Sequence, residues 1–217
     1  MWDFKESIQG IKWACEKMNI PVVSGNVSLY NETDGKSILP TPMIAMVGKV
    51  KDINKTTPAC TAEESSIYLL SAKKYSPSFN GSLFTKAYDI PKGTTLHNLC
   101  PDTEQETYDI LEILNYHKIL SSARDIGEGG LLMSLIKTLP DHKLSAQIKI
   151  TADTKDIHTM LFAESPSAYI LCVETEKEEE LRKLSLKHNY TKISKIGYTY
   201  KTQNDPKIKI NNNTIDL

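Results

Sequence analysis

Pro21-Val22-Val23-Ser24-Gly25-Asn26-Val27-Ser28-Leu29-Tyr30-Asn31-Glu32-Thr33 sets a short β-branched run against a string of small and amide residues. Val22-Val23 predicts a buried strand. Ser24, Gly25, Asn26 and Ser28 predict a polar loop delivered at its end. Each residue type has a chemical use in such a loop. Glycine lets a phosphate or nucleotide approach the backbone with no Cβ in the way. An Asn carbonyl is a neutral oxygen ligand suited to Mg²⁺. A Ser hydroxyl both donates to and accepts from an anionic substrate. On residue types alone, a ligand loop and a plain Gly-Asn turn after a strand are equally good readings.

Upstream of the loop, Phe4, Ile8, Ile11, Cys15 and Met18 recur at spacings of a helix face and predict an amphipathic helix over residues 3–18. Asp3 is the expected N-cap, with Glu6 as its capping-box partner. Asn19 and Pro21 close the helix. Downstream, the apolar run from Met43 to Val50 predicts a second strand. Residues 51–64 are polar and carry Pro58, so the expected linker lies there, with a domain boundary near residues 55–60.

Beyond the linker the pattern alternates. Strands are predicted at 67–70, 122–126, 146–150, 168–173, 192–200, 207–210 and 214–217, the last pair joined by a turn at Asn211-Asn212-Asn213. Helices are predicted at 102–117, with Tyr108, Leu111 and Leu114 inward, and at 129–139, 155–162 and 176–188. This alternation predicts an α/β fold, an α+β sandwich.

The composition excludes several classes. A formal net charge of −1 gives no electrostatic argument for nucleic acid or an anionic membrane. No apolar run approaches membrane-spanning length, and the N-terminus lacks the pattern of a signal peptide. Cys15, Cys60, Cys100 and Cys172 are too far apart for a metal pair, and a reduced, cytoplasmic setting is the simplest expectation. The five histidines are scattered. Asp34-Gly35-Lys36-Ser37 is not a phosphate loop, because Tyr30 stands where that motif needs glycine.

The loop from Ser24 to Thr33, continued through Gly35 into Leu39-Pro40-Thr41-Pro42-Met43-Ile44, resembles the corresponding segment of the phosphoribosylformylglycinamidine synthase family, the synthetase of purine biosynthesis. The resemblance implies the end of an aminoimidazole ribonucleotide synthetase-like N-terminal-type domain over residues 1–57. A C-terminal-type domain of the same kind would follow over residues 58–217. It implies that Gly25 contacts ATP, Asn26 binds Mg²⁺ and Ser28 contacts formylglycinamide ribonucleotide. It assigns no catalytic proton-transfer residue to this chain, and suggests a C-terminal portion of a longer or split synthetase, inactive alone.

Two further segments resemble parts of that family. Asp125-Ile126-Gly127-Glu128-Gly129-Gly130-Leu131 is similar to an Asp-x-Ser-Asp-Gly-Gly-Leu segment, with Gly127 and Glu128 in place of Ser and Asp. Leu161 to Ser167 is similar to a Glu-Ser-x-x segment. Asp125, Glu164 and Ser165 are therefore candidates for an auxiliary nucleotide site. The favoured alternative is that the glycines pack a helix on the sheet and the second segment is a helix-to-strand turn.

The implied reaction joins ammonia to formylglycinamide ribonucleotide at the expense of ATP. The implied partners are a glutaminase subunit or domain that supplies the ammonia, a small bridging subunit in some arrangements, and the upstream half of the synthetase. The alternatives are another enzyme of the same ATP-dependent superfamily and a non-catalytic assembly module.

Overall fold

The apolar spacing of the first residues is realised as α1, Trp2–Met18. The computed structural model describes residues 1–61, 64–74, 77–89, 99–139, 144–150, 157–185, 188–203 and 205–216. Asn19 ends α1 in the left-handed region at φ 53°, where Ile20 N–H returns to Cys15 O at 3.0 Å. The expected Asp3 cap is not formed. Asp3 sits inside the first turn, where its charge favours the helix end without capping it. The chain divides into two compact units, Met1–Lys51 and Asp52–Leu217.

In the first unit, β1 (Glu32–Thr33) and β2 (Lys36–Ser37) pair antiparallel around Asp34-Gly35. Asp34 at φ 51° and Gly35 at φ 73° are the two left-handed positions that a type I′ turn requires. The expected strands at Val22-Val23 and Met43–Val50 are absent. Both stretches are extended chain with no ladder to join, and the hairpin is the first unit's one sheet among the described residues. An apolar β-branched run becomes a strand only beside another strand.

The second unit is a seven-stranded sheet. In chain order its elements are β3 (Ser66–Ala72), α2 (Leu83–Ala87), α3 (Pro101–Tyr116), β4 (Leu120–Asp125), α4 (Gly130–Thr138), β5 (Leu144–Ile148), α5 (Ile157–Phe162), β6 (Tyr169–Val173), α6 (Glu178–Leu184), β7 (Thr191–Lys201), β8 (Lys207–Ile210) and β9 (Asn213–Asp216). The strand order is β4-β6-β3-β7-β5-β8-β9. Neighbours are antiparallel except β5 and β8. Ile67 and Leu69 of β3 face a core with Leu131 and Leu135 of α4. Leu70 faces the opposite core with Ile110 and Leu114 of α3 and Leu181 of α6. Helices therefore cover both faces of the central strands, the α/β architecture the alternation predicts.

Several details differ from the expected pattern. α3 buries Thr103, Thr107, Ile110 and Leu114, not the predicted Tyr108 face, and Tyr108 is exposed. Two threonines can sit inside because Thr107 Oγ1 donates to Thr103 O at 2.7 Å. The strand predicted at 146–150 begins and ends two residues earlier. The helix predicted at 176–188 is a 3₁₀ turn at Thr175–Lys177 followed by α6. Residues 155–156 and 186–187 of the predicted helices, and Leu217 of the predicted last strand, lie outside the described residues. Helix α2 was not anticipated, although Ser82 is a ready N-cap whose Oγ accepts from Thr85 N–H. The unit break at Lys51/Asp52 precedes the expected boundary after residue 57. Residues 53–57 belong with the second unit because Lys55 lies over the Tyr116 ring at 4.3 Å and Thr57 Oγ1 donates to Asn115 Oδ1 at 2.6 Å.

Gly197 sits at a bulge where β7 changes register against β3. A Cβ there would lie 2.1 Å from Gln147 O, so the crossing with β5 admits glycine alone. At the other end of β7, Glu106 of α3 accepts N–H groups from Asn189 at 2.6 Å, Tyr190 at 2.8 Å and Thr191 at 2.7 Å. It also accepts the Thr191 hydroxyl at 2.7 Å. Burial opposes the charge, but these donors outweigh it and hold the carboxyl below its ordinary value. A depressed folded-state pKa gives stability that is complete above the unfolded value near 4.5 and is lost as pH falls through the folded one. Glu106→Gln is expected to lower the unfolding free energy by about 1–2 kcal/mol at neutral pH. In urea titrations repeated at decreasing pH, the gap between wild type and variant should close below about pH 4.5.

Candidate functional site

The loop from Ser24 to Ser28 follows α1 and Pro21 and is exposed along its length. A Cβ on Gly25 would meet nothing within 4 Å. Tyr30 turns the chain at φ 60°, and Asn31 Nδ2 donates to Ser28 O at 3.4 Å before the chain enters β1. The structure thus brings Gly25, Asn26 and Ser28 onto one open polar turn with their side-chain oxygens unengaged among the described residues. Asn26 offers one neutral oxygen, which fits a single position of an octahedral Mg²⁺ set completed by waters and nucleotide phosphates. Among the described residues no group of three His, Cys, Asp or Glu side chains is placed to hold a metal ion.

The glycine turn at the end of β4 has a different character. Gly129 at φ 83° and Gly130 at φ 71° start α4, and Gly130 N–H donates to Gly127 O at 3.0 Å. A Cβ on Gly130 would lie 2.7 Å from Leu161 O, so glycine lets α4 and α5 touch through their backbones. Glu164 Oε1 accepts Gly129 N–H at 2.9 Å and Leu83 N–H at 2.8 Å. A carboxylate of the chain itself therefore occupies the positive start of α4 and ties it to the start of α2. Asp125 is exposed, and its backbone carbonyl accepts the Ser134 hydroxyl at 3.1 Å. Ser165 is 5% exposed, and its hydroxyl has no partner among the described residues.

Sequence reasoning did not single out a third cluster. Glu178 at the start of α6 accepts Lys195 Nζ at 2.7 Å and the Ser66 hydroxyl. The Lys195 ammonium first, then Ser66, hold its carboxyl below the usual range. Burial first, then Glu178, push the Tyr68 phenol up to about 12, so it stays protonated at neutral pH. These residues border a cleft of about 310 Å³ with Glu179, Leu181, Arg182, Ser185 and Ile193. Its charges are paired, Arg182 with Glu179 at 2.7 Å and Lys195 with Glu178. The cluster latches α6 to the sheet and presents no nucleophile. All four cysteines carry free thiols, and no helix among the described residues is long and apolar enough to cross a membrane.

A mainly antiparallel sheet with helices on both faces, preceded by a helix and a glycine-asparagine loop, defines an α/β domain pair of the ribonucleotide synthetase type. Residues 81–207 match the AIR synthase related protein, C-terminal domain, and residues 1–50 match the AIR synthase related protein, N-terminal domain. The chain belongs to the AIR synthase related protein family. It is 39% identical over 198 residues to the phosphoribosylformylglycinamidine synthase subunit PurL of Campylobacter jejuni, covering 91% of this chain and 26% of that protein. The Tropheryma whipplei subunit of the same name is 32% identical over 204 residues, 93% of this chain and 26% of that protein. The chain thus spans about a quarter of the length of the curated relatives it matches. Among solved structures, Thermotoga maritima PurL complexed with FGAR superposes with a TM-score of 0.59 at 11% identity. It covers 75% of this chain and 28% of that one, a likeness of fold.

The two bonds to Glu164 make a direct test. Glu164→Ala strands two backbone N–H groups and is expected to cost about 2–4 kcal/mol in urea or thermal unfolding. Glu164→Gln keeps an acceptor oxygen and should cost only about 1 kcal/mol. Wild-type stability in Glu164→Ala would show that the carboxylate does not hold the turn.

Proposed function

We propose that this chain serves as part of a phosphoribosylformylglycinamidine synthase, an ATP-dependent ligase acting in the cytoplasm. The observation that carries the reading is the 39% identity kept over 198 residues, a stretch long enough to take in the 24–28 loop and most of the second unit. In the reaction the γ-phosphoryl group of ATP passes to the amide oxygen of formylglycinamide ribonucleotide. Ammonia then adds to the activated carbon, and phosphate leaves with that oxygen. The products are the amidine, ADP and phosphate. Such chemistry depends on positioning and on neutralising phosphate charge.

Gly25, Asn26 and Ser28 suit that task, since none is a proton-transfer group. Gly25 leaves room for ATP, Asn26 gives Mg²⁺ one oxygen, and Ser28 hydrogen-bonds the ribonucleotide. In the second unit, Glu164 is assigned to structure because backbone donors already engage it. Asp125 and Ser165 remain the candidates for an auxiliary nucleotide contact beside that turn. The partners under this reading are a glutaminase that supplies ammonia from glutamine, with or without a bridging subunit, and the rest of the synthetase.

The purified chain is expected to form no amidine from ribonucleotide, ATP, Mg²⁺ and ammonia. The roles are tested in a chimera in which this chain replaces the matched quarter of the Campylobacter jejuni subunit. There Asn26→Ala should weaken Mg²⁺-dependent use of ATP, and Gly25→Val should impair ATP more severely. Ser28→Ala should lower kcat/KM for the ribonucleotide from a few-fold to about a hundredfold, the loss of one hydrogen bond to a neutral or charged partner. Unchanged kinetics for both substrates in Asn26→Ala and Ser28→Ala, with a lowered Tm, would make the loop structural.

A further inference from the structure

The first unit exposes side chains that a folded protein normally buries. Val22, Val23, Met43, Ile44, Met46 and Val47 all stand in solvent, with Val23 at 92%, Met43 at 91% and Val47 at 101% of full exposure. The exposed apolar set falls on two stretches, one on each side of the β1–β2 hairpin. The same stretches leave their backbones open. Among the described residues, the bonds there are Thr41 Oγ1 to Leu39 O at 2.9 Å, Asn31 Nδ2 to Ser28 O, and Ile38 N–H to Asn31 O at 3.2 Å at the hairpin's edge. Residues 43–50 have neither a backbone partner nor an apolar one.

That double deficit selects the kind of partner. A lipid surface or an apolar ligand would cover the side chains and leave the peptide groups without donors and acceptors. An open β-sheet satisfies both at once, with ladder bonds along the edge and side chains packed on its faces. The run Met43-Ile44-Ala45-Met46-Val47 is apolar at consecutive positions, the pattern of a strand buried on both faces rather than of a half-exposed edge. Residues 1–50 also match the AIR synthase related N-terminal domain, so the sheet that fits them is the one the rest of that domain supplies.

We propose that residues 21–29 and 38–50 are a docking segment that becomes strand in the open sheet of a partner polypeptide carrying the remainder of an AIR synthase-type N-terminal domain. The partner's identity rests on the synthase reading above. The strand chemistry rests on this chain alone. Docking also shapes the candidate site. Ser24–Ser28 is held at one end by Val22-Val23, and fixing that pair in a sheet fixes where Gly25 and Asn26 point. Formation of the ATP and metal contacts is therefore coupled to assembly.

The test co-refolds the full chain with the Campylobacter jejuni subunit from which the matched quarter has been deleted, and follows amide hydrogen exchange. The expected result is at least a tenfold slowing over residues 43–50 and at Val22-Val23, with Gly25 and Asn26 slowed in the same complex. Val47→Lys should abolish this protection and leave the cooperative unfolding of the chain's sheet unchanged. The proposal falls if protection appears on raising the concentration of this chain alone, which would make the occupant a second copy. It also falls if protection appears only in the covalent chimera, or if the two polypeptides do not fold together while the chimera does. Amidine formation is measured on the same complex. Protection without amidine keeps the docking and removes the synthase reading, whereas amidine without protection does the reverse.

Discussion

A strand with apolar side chains on both faces is stable only when it has a neighbour along each edge and a layer over each face. β3 meets all four conditions. It lies between β6 and β7, with α4 beneath Ile67 and Leu69 and α3 and α6 above Leu70. The rest of the second unit is arranged around that position. Residues 43–50 are as apolar as β3 and meet none of the four conditions in the first unit, so they stay extended and exposed. One physical requirement explains both the order of the sheet and the openness of the segment that precedes it.

Carboxylates do much of the joining in the second unit. Glu106 gathers three N–H groups and a hydroxyl at the start of β7. Glu164 fills the start of α4 and binds it to α2, and Glu178 holds Lys195 and Ser66 across from α6. Each occupies a place with exposed donors or positive charge, the chemistry that would otherwise attract a phosphate. The turn at Gly127–Gly130 shows the consequence. It has the glycines and helix start of an anion site, and the chain's own anion sits in it. The Ser24–Ser28 loop has no such internal occupant, and its amide and hydroxyl oxygens remain available to a ligand.

Periodicity was a good guide where a residue's own neighbours decided its state. α1, α3, α4, β3 and β6 follow from local spacing within one or two residues at each end. It failed where the outcome depended on remote chain. Val22-Val23 and Met43–Val50 carry strand-forming side chains, but a ladder bond needs a second strand that local spacing does not supply. The inward face of α3 could not be chosen from hydropathy, since Thr103 and Thr107 are buried through a bond between them. The hairpin was legible in Asp34-Gly35, a dipeptide suited to two left-handed positions, but the comparison with a phosphate loop drew attention away from it.

The sequence by itself determined the alternation of helices and strands, the loop of Gly25, Asn26 and Ser28, and the glycines at 129 and 130 that begin α4. These are properties of residue type and short spacing, and they survive in any fold that uses them. Only the tertiary structure decided the strand order, the need for glycine at 197 where β5 crosses within 2.1 Å of its missing Cβ, and the roles of Glu106, Glu164 and Glu178. A glutamate on a helix looks the same in sequence whether it meets water or backbone donors from a segment 85 residues away. Its role is set by what the fold brings to it, and that meeting is a long-range event which no local pattern encodes.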